Sequence, residues 1–205
     1  MNSNYPIMLR LEGKLVVVVG GGKVAERKIS GLLASGARVV VVSPETTDEL
    51  QRLSSAGKIE WVQRPFLQGD LKGAFMIFAA TNNKVLNKLV KDSAEPHQLV
   101  TVADDPDGSN FHLPSSFHRG RLSIAVATGG ASPSLARKIR KQLEQEFDET
   151  YEDYLEFLFM KRKWIITEIA DAALKSKLLT AIVSDEFLHS HDREGDFQRL
   201  YEGMI

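Results

Sequence analysis

The chain has 205 residues, of which 43% are hydrophobic and 26% are charged, and its formal net charge is −1. These values are typical of a globular protein of one or two domains, so they exclude wholesale disorder and argue against a general nucleic-acid binder with a basic surface. The absence of cysteine excludes disulfides, thiolate metal sites and a cysteine nucleophile.

The first hundred residues alternate between strand and helix patterns. A continuous apolar, β-branched run at residues 15–19 predicts a buried strand, and residues 39–42 predict a second one. Three further strands are predicted at residues 59–62, 75–80 and 99–103. Helices are predicted between them, at residues 24–35, after a Thr47 cap, and around Val85, Leu89 and Val90. Repeated strand–helix–strand units predict an α/β fold, in which a parallel, doubly wound sheet is connected by right-handed crossovers.

The pattern changes after Asp104. The stretch DDPDGSNFHLPSS, residues 104–116, is rich in turn residues and marks a boundary, and residues 122–127 predict one more strand. Ser132 as a cap and Pro133 in the first turn predict a helix start. From Tyr151 onward the chain has helical character, with Gly195 as a break. We therefore predict three parts: a sheet domain at residues 1–113, a small α+β module at 114–147 and a helical domain at 148–205.

A glycine-rich loop follows the first predicted strand and opens the first helix. The segment from Gly20 through Gly22, Lys23 and Val24 to Ala25 fits G-x-G-x-x-A. In that motif the glycines permit a tight turn and let the backbone approach a pyrophosphate at the helix N-terminus. This context predicts a dinucleotide-binding Rossmann domain. The alternative is a glycine-rich turn without a ligand.

Two further segments are predicted to contact the dinucleotide. The acidic residue expected at the end of the second strand is replaced by Ser43-Pro44-Glu45, where Ser43 can bond a ribose hydroxyl and Glu45 is close enough to contribute. No arginine follows to hold a 2′-phosphate, which favours NAD over NADP. Thr81 and Asn82 end the fourth strand, at the edge where such folds bind ligands, and either residue is also a candidate helix cap.

Candidate catalytic residues follow the fifth strand. An Asp-Pro-Asp-Gly turn is more often a solvated loop than a catalytic site. Asp104 nevertheless lies closest to the strand end, on the same edge as the glycine loop, so we predict that it is catalytic. Asp105 and Asp107 lie further into the turn and should matter less. His118, in a small basic patch, is the alternative proton acceptor.

A second turn before a helix is predicted to bind anions. Its backbone N–H groups precede the helix that Pro133 opens, and arginines lie near it in sequence. The ordinary interpretation of these arginines is a solvated helix face, whereas together with the turn they suit a substrate with many carboxylates. The residues predicted to bind such a substrate are Arg119, Thr128, Gly129, Gly130, Ser132 and Arg137.

The segments VVVVGGGKVAERK, AATNN, VADD and AVATGGASPSLAR, in this order and at these spacings, resemble the dehydrogenase/chelatase region of siroheme synthases. The resemblance is closer to the stand-alone precorrin-2 dehydrogenases and is most specific over residues 6–147. It implies an NAD-binding Rossmann domain, a small dimerisation module and a C-terminal helical domain. It also implies NAD-dependent oxidation of precorrin-2 to sirohydrochlorin in siroheme biosynthesis, with iron insertion by some members. The family's essential aspartate corresponds to Asp104, and its serine before the paired glycines corresponds to Thr128.

The resemblance also sets expectations about partners. Because 205 residues leave no room for the fused methyltransferase of siroheme synthases, we expect precorrin-2 to come from a separate methyltransferase. We expect a homodimer formed through residues 114–147, no resident metal, no nucleic acid and no membrane. No apolar run approaches the roughly 20 residues of a membrane span and no secretory signal is visible, so a soluble, cytoplasmic protein is expected.

Two alternatives stay open at this point. A non-catalytic dinucleotide sensor would need the glycine loop but would have no use for the VADD and TGGASP segments. A protein that also, or only, inserts a metal into sirohydrochlorin would have to use carboxylates and the substrate's own nitrogens, since cysteines are absent and histidines are not clustered.

Overall fold

The computed structural model describes residues 4–205 of the chain. It divides into two compact units, at residues 5–113 and 114–205.

The first unit is built on one parallel sheet. Its order is β3-β2-β1-β4-β5, and all four pairings are parallel. This is the strand order of a dinucleotide-binding Rossmann fold, which confirms the predicted fold class. The strand order reverses between β1 and β4, where such folds bind their ligands. The strands are β1 Leu15–Val19, β2 Arg38–Val42, β3 Glu60–Val62, β4 Met76–Ala79 and β5 Leu99–Val102.

Helices cover both faces of this sheet. Successive side chains of β1 alternate between two buried clusters, with Val16 and Val18 in one and Val17 and Val19 in the other, as expected for a strand buried on both faces. One cluster includes residues of the first two helices, and the other includes residues of the third. The helices are α1 Lys23–Ala34, α2 Asp48–Ser55 and α3 Lys84–Asp92, with a short 3-10 helix at Gln68–Leu71.

The helix predicted around Val85, Leu89 and Val90 is present as α3. Val90 is buried as expected, but Val85 is 80% exposed and Leu89 is also exposed. The inner face instead carries Asn87 and the partly buried Leu86. A buried asparagine therefore interrupts the apolar pattern of the inner face.

The second unit begins with a two-stranded hairpin and continues as helices. Strands β6 Ser115–Arg119 and β7 Leu122–Val126 pair antiparallel. Five helices follow, and the last four share a buried aromatic and aliphatic cluster that includes Tyr154, Phe157 and Phe197. No helix within residues 4–205 is long and apolar enough to span a bilayer. The helices are α4 Pro133–Glu146, α5 Thr150–Glu168, α6 Ala172–Ala181, α7 Asp185–His189 and α8 Arg193–Glu202.

Two predictions for this unit were incomplete or wrong. Strand β6 was not predicted, because its sequence SSFHR is mostly polar and only Phe117 is buried. Gly195 does not break the helical tail but lies in the first turn of α8, where its N–H donates to the Asp192 carboxylate at 3.0 Å. In a first turn a glycine N–H has no partner within the helix, so a capping side chain can take it up. The real breaks are at residues 169–171, 182–184 and 190–192.

Candidate active site

The three consecutive glycines after β1 have different surroundings. At Gly20, whose φ is +117°, an added Cβ would lie 2.4 Å from the Ala80 carbonyl oxygen at the end of β4. At Gly21 it would lie 2.1 Å from the Glu45 carbonyl oxygen in the loop after β2. At Gly22 it would meet no protein atom within 4 Å. The first two glycines are therefore required by packing, whereas Gly22 faces open space.

Open backbone donors surround Gly22. This residue is the N-cap of α1 and has no side chain to cap the helix. The first hydrogen bond of the helix is donated by the Glu26 N–H to the Gly22 carbonyl, so the preceding N–H groups, including those of Lys23 and Val24, have no partner within the helix. The Lys23 ammonium pairs with Glu26 at 3.0 Å. Unpaired donors at a helix N-terminus beside an open glycine suit a pyrophosphate.

The loop after β2 packs against the glycine loop. The Thr47 N–H donates to the Gly21 carbonyl at 3.0 Å, and Thr47 caps α2 as predicted. The Ser43 hydroxyl, expected to bond a ribose, instead donates its proton to the Glu45 carbonyl at 2.6 Å. Ser43 can therefore contribute only as an acceptor, while Pro44 and the Glu45 side chain are exposed.

The end of β4 is linked to α3 by hydrogen bonds. The cap of α3 is Asn83, whose side-chain oxygen accepts from the N–H groups of Val85 and Leu86 at 3.0 and 3.1 Å. This corrects the prediction that Thr81 or Asn82 is the cap. Thr81 lies two residues before this cap. Its hydroxyl accepts from the Asn83 N–H at 3.1 Å and donates to the Asn87 side chain at 2.7 Å.

Asp104 shares this network. The Asn87 side-chain amide donates to Asp104 Oδ1 at 2.8 Å and to the Thr81 carbonyl at 3.0 Å. The structure thus brings together Thr81 and Asp104, which were predicted, through Asn87, which was not. The sequence did contain a signal for Asn87, because it is a polar residue at a position where the helical pattern of α3 needs an apolar one.

The turn after Asp104 is held by its own side chains. Asp105 accepts from the Gly108 N–H at 2.8 Å and pairs with Lys91 at 3.5 Å. Ser109 accepts from the Val102 N–H at 2.9 Å, and Asn110 accepts from the Val100 N–H at 2.7 Å. The last two bonds give partners to backbone N–H groups at the outer edge of β5. They assign Asp105 to the turn and leave Asp104 as the exposed carboxylate at the strand end.

The second unit carries the other predicted site residues. His118 lies on β6, and its Nδ1 is 2.8 Å from the Ser123 hydroxyl on β7. Arg119 places its guanidinium over the Phe117 ring, 5.6 Å from the ring centre, and donates to the His118 carbonyl. The guanidinium of Arg121 pairs with Glu156. His118 is exposed and Phe117 is buried, because neighbouring residues of a strand point to opposite faces.

In the turn before α4, the Ala131 N–H donates to the Thr128 carbonyl at 3.0 Å. The Thr128 hydroxyl accepts from the Ser132 N–H at 3.2 Å and donates to the Ser132 carbonyl, which closes the turn. Gly129 and Gly130 have φ values of +58° and +84° and are exposed. Ser132 caps α4 by accepting from the Leu135 N–H. Arg137 lies in the same helix, exposed, and donates to Ser134. Within residues 4–205, no group of three or more His, Asp or Glu side chains is arranged to hold a metal ion.

Two family models and several known proteins match the chain. A family model described as putative NAD(P)-binding matches residues 7–115, and one described as sirohaem biosynthesis protein central matches residues 119–146. Precorrin-2 dehydrogenase of Priestia megaterium is 36% identical over 198 residues, which are 97% of this chain and 98% of that protein. Precorrin-2 dehydrogenase of Bacillus subtilis is 32% identical over 77% of this chain and 98% of that protein.

Longer proteins and a solved structure also match. Siroheme synthase 3 of Aeromonas hydrophila is 44% identical over 140 residues, 68% of this chain but 30% of that protein. The solved structure of SirC, a precorrin-2 dehydrogenase, superposes with a TM-score of 0.85 at 36% identity, covering 98% of this chain and 100% of that one.

The fold, the open glycine loop and the matching family model define an oxidoreductase of the Rossmann class that uses a nicotinamide dinucleotide. The proteins named precorrin-2 dehydrogenase match this chain over almost the whole of their own length. The chain belongs to the precorrin-2 dehydrogenase family.

Proposed function

We propose that this protein oxidises precorrin-2 to sirohydrochlorin, with NAD as the oxidant, in siroheme biosynthesis. The observation that carries the proposal is the position of the Asp104 carboxylate. It is exposed at the end of β5, at the same sheet edge as the open face of Gly22, and an asparagine amide holds it. The family to which the chain belongs gives the substrate.

The reaction removes a hydride and a proton from the reduced tetrapyrrole. NAD, when bound, supplies the acceptor for the hydride. The proton needs a base at the same edge, and Asp104 is suited to accept it or to fix the pyrrole N–H groups of the substrate. One oxygen of Asp104 accepts from Asn87, which leaves the other for the substrate.

The cofactor would be held by the loops at the switch point. Its pyrophosphate would lie over Gly20 and Gly22, bonded by the N–H groups of Lys23 and Val24. The segment Ser43–Glu45 would face the adenosine ribose, and Thr81 with Asn82 would lie beside the cofactor at the end of β4. The fit rests on the room at Gly22, which a Cβ would fill.

Charge near the ribose position favours NAD over NADP. A surface cavity beside the glycine loop is lined by more acids than bases. Both of its bases are paired, Lys23 with Glu26 and Arg52 with Glu49. Hydrogen bonds from Thr47 and Lys23 hold the pKa of Glu26 below its usual value, so it stays charged at neutral pH. A 2′-phosphate would meet this acidic surface without a free cation among its lining residues. The cavity is lined by Lys23, Glu26, Thr47, Asp48, Glu49 and Arg52.

Residues of the second unit would bind the carboxylates of the tetrapyrrole. The positive φ values at Gly129 and Gly130 present backbone N–H groups before the start of α4. The remaining residues of this substrate site would be Arg119, Thr128, Ser132 and Arg137. The turn that Thr128 closes with Ser132 supports this assignment.

The same unit would also form a homodimer, through residues 114–147, with residues 148–205 as a separate helical domain. The Priestia megaterium relative that matches over 98% of its own length is named for the dehydrogenase alone, and we further propose that a separate methyltransferase supplies precorrin-2.

The test compares variants of the two candidate bases. Asp104→Ala and Asp104→Asn, each with unchanged NAD binding, should lower the rate of NADH formation from precorrin-2 by about 10²–10⁴-fold. His118→Ala should change it little. If both Asp104 variants work at the wild-type rate while His118→Ala does not, His118 is the base. If wild-type protein with NAD and precorrin-2 forms no NADH, the protein is a dinucleotide sensor.

A further inference from the structure

We propose that Asn87 is a positioning residue for the reaction, whose buried amide orients the Asp104 carboxylate and determines which of its oxygens takes the proton. This inference rests on the proposed role of Asp104.

The Asn87 amide uses its full hydrogen-bonding capacity. Asn87 is 1% exposed. Its Oδ1 accepts from the Thr81 N–H at 3.1 Å and from the Thr81 hydroxyl at 2.7 Å. Its Nδ2 donates to the Thr81 carbonyl at 3.0 Å and to Asp104 Oδ1 at 2.8 Å. A side-chain amide has two N–H donors and one oxygen with two lone pairs, so all four positions are taken.

The backbone of Thr81 fixes the orientation of this amide. A backbone N–H can only donate, so the atom of Asn87 that faces it must be the oxygen. The other atom is then the nitrogen, which presents an N–H to Asp104. The end of β4 therefore determines that Asp104 receives a hydrogen bond.

That bond distinguishes the two oxygens of Asp104. Oδ1 accepts from Asn87 and must remain an acceptor in both protonation states. A proton taken from the substrate is therefore directed to Oδ2. Proton transfer depends strongly on the orientation of the reacting groups, and a misplacement of about 1 Å costs about 10²-fold in rate.

A second buried amide in the same unit shows what a purely structural role involves. Gln98 is also 1% exposed, but it bonds to backbone alone. It donates to the carbonyls of Leu71 and Ala74 and accepts from the Glu95 N–H. Asn87 differs because one of its N–H groups goes to an exposed carboxylate.

A double-mutant cycle separates positioning from structure. We expect Asn87→Ala to lower kcat by about 10²-fold with little change in the Kd of NAD. In an Asp104→Ala background the same change should lower kcat by less than about 2-fold, because residues that act through one group are not additive. Gln98→Ala, the matched control, should lower the melting temperature and leave kcat within about 2-fold.

Asn87→Asp provides a second variant of the same size. It keeps the oxygen that accepts from Thr81 but loses the N–H donors to Asp104 and to the Thr81 carbonyl, and it sets a second carboxylate against Asp104, so kcat should again fall. Equal losses from Asn87→Ala in both backgrounds, or no loss from either Asn87 variant, would overturn the inference. A wild-type rate in Asp104→Ala alone would overturn the proposed role of Asp104, and the inference with it.

Discussion

No protein neighbour requires residue 22 to be a glycine. A Cβ at Gly20 or Gly21 would strike backbone atoms closer than 2.5 Å, whereas a Cβ at Gly22 meets nothing. The backbone of Gly22, with φ −85° and ψ −174°, is extended and open to any residue. Its value to the protein is therefore the space it leaves for a ligand.

Gly22→Val should weaken NAD binding without destabilising the protein. The new side chain would occupy the pyrophosphate position, and the loss of one or two charge-assisted bonds should raise the Kd by about 10- to 100-fold. Isothermal titration calorimetry measures this, with thermal unfolding beside it. Gly31→Val, in the same helix and equally free of neighbours, should bind NAD like the wild type. Normal binding by Gly22→Val would place the cofactor elsewhere.

Glu45 should set the choice between NAD and NADP. Its exposed carboxylate lies in the connection between β2 and α2, and repulsion between like charges about 4 Å apart costs about 1–4 kcal/mol. We expect kcat/KM to be at least about tenfold higher with NAD. Glu45→Arg should narrow or reverse that ratio, whereas Glu60→Arg, at an exposed position on β3, should not. Equal turnover of the two cofactors by the wild type would contradict this prediction.

At the scale of elements, the sequence was most informative where local patterns and packing agree. Strands β1, β2, β4 and β5 were predicted because they are rich in β-branched and apolar residues that the sheet buries. Strand β3, with exposed Glu60 and partly buried Trp61 and Val62, was predicted from a shorter apolar pattern. Strand β6 was missed because its stability depends on pairing with β7 rather than on its own apolar residues. The glycine loop and Asp104 could be predicted because a strand immediately precedes each of them. Asn87 could not, because its partner Asp104 is 17 residues away and only the sheet brings them together.

The connection between β3 and β4 is held by a partly buried carboxylate. Both oxygens of Asp70 accept from Arg64, at 2.6 and 2.9 Å, and one also accepts from the Leu67 N–H at 2.8 Å. Hydrogen bonding to Arg64 holds the pKa of Asp70 below its usual value. As pH falls, the unfolded chain is therefore protonated at this residue before the folded protein, and the stabilisation is lost below about pH 3.9.

Asp70→Asn should lower the free energy of unfolding by about 1 kcal/mol at pH 7. Urea unfolding should show that the difference from wild type shrinks at pH 3, where the carboxyl of the unfolded wild-type chain is largely protonated. Asp92→Asn removes an exposed pair with Lys88 and should change stability by less than about 0.5 kcal/mol. A deficit in Asp70→Asn that is unchanged at pH 3 would show that the charge of Asp70 contributes nothing.

On the scale of the whole molecule, hydrophobic burial is uneven along the chain. Two buried clusters lie on the faces of the sheet, and a third joins α5 to α8. Residues 114–147, all of which the structure describes, contribute to none of them, and their buried hydrophobic side chains are Phe117 and Ala136. Because a segment of 34 residues with so little buried apolar surface gains little stability from a core of its own, we expect a partner to stabilise it.

A second copy of the chain is the partner that we expect. Light scattering at micromolar concentration should give twice the monomer mass. Leu135 on α4 is 48% exposed, so Leu135→Lys leaves the fold of one chain intact. Burial of a leucine at an interface is worth about 1.5–3 kcal/mol, so this variant should raise the dimer dissociation constant by at least about tenfold. Leu67→Lys, at a leucine of the first unit that is 58% exposed, should leave the mass unchanged. A monomeric wild type would reject the dimer, and a dimer unaffected by Leu135→Lys would move the interface away from the start of α4, because a lysine buried there without a counter-charge could not be tolerated.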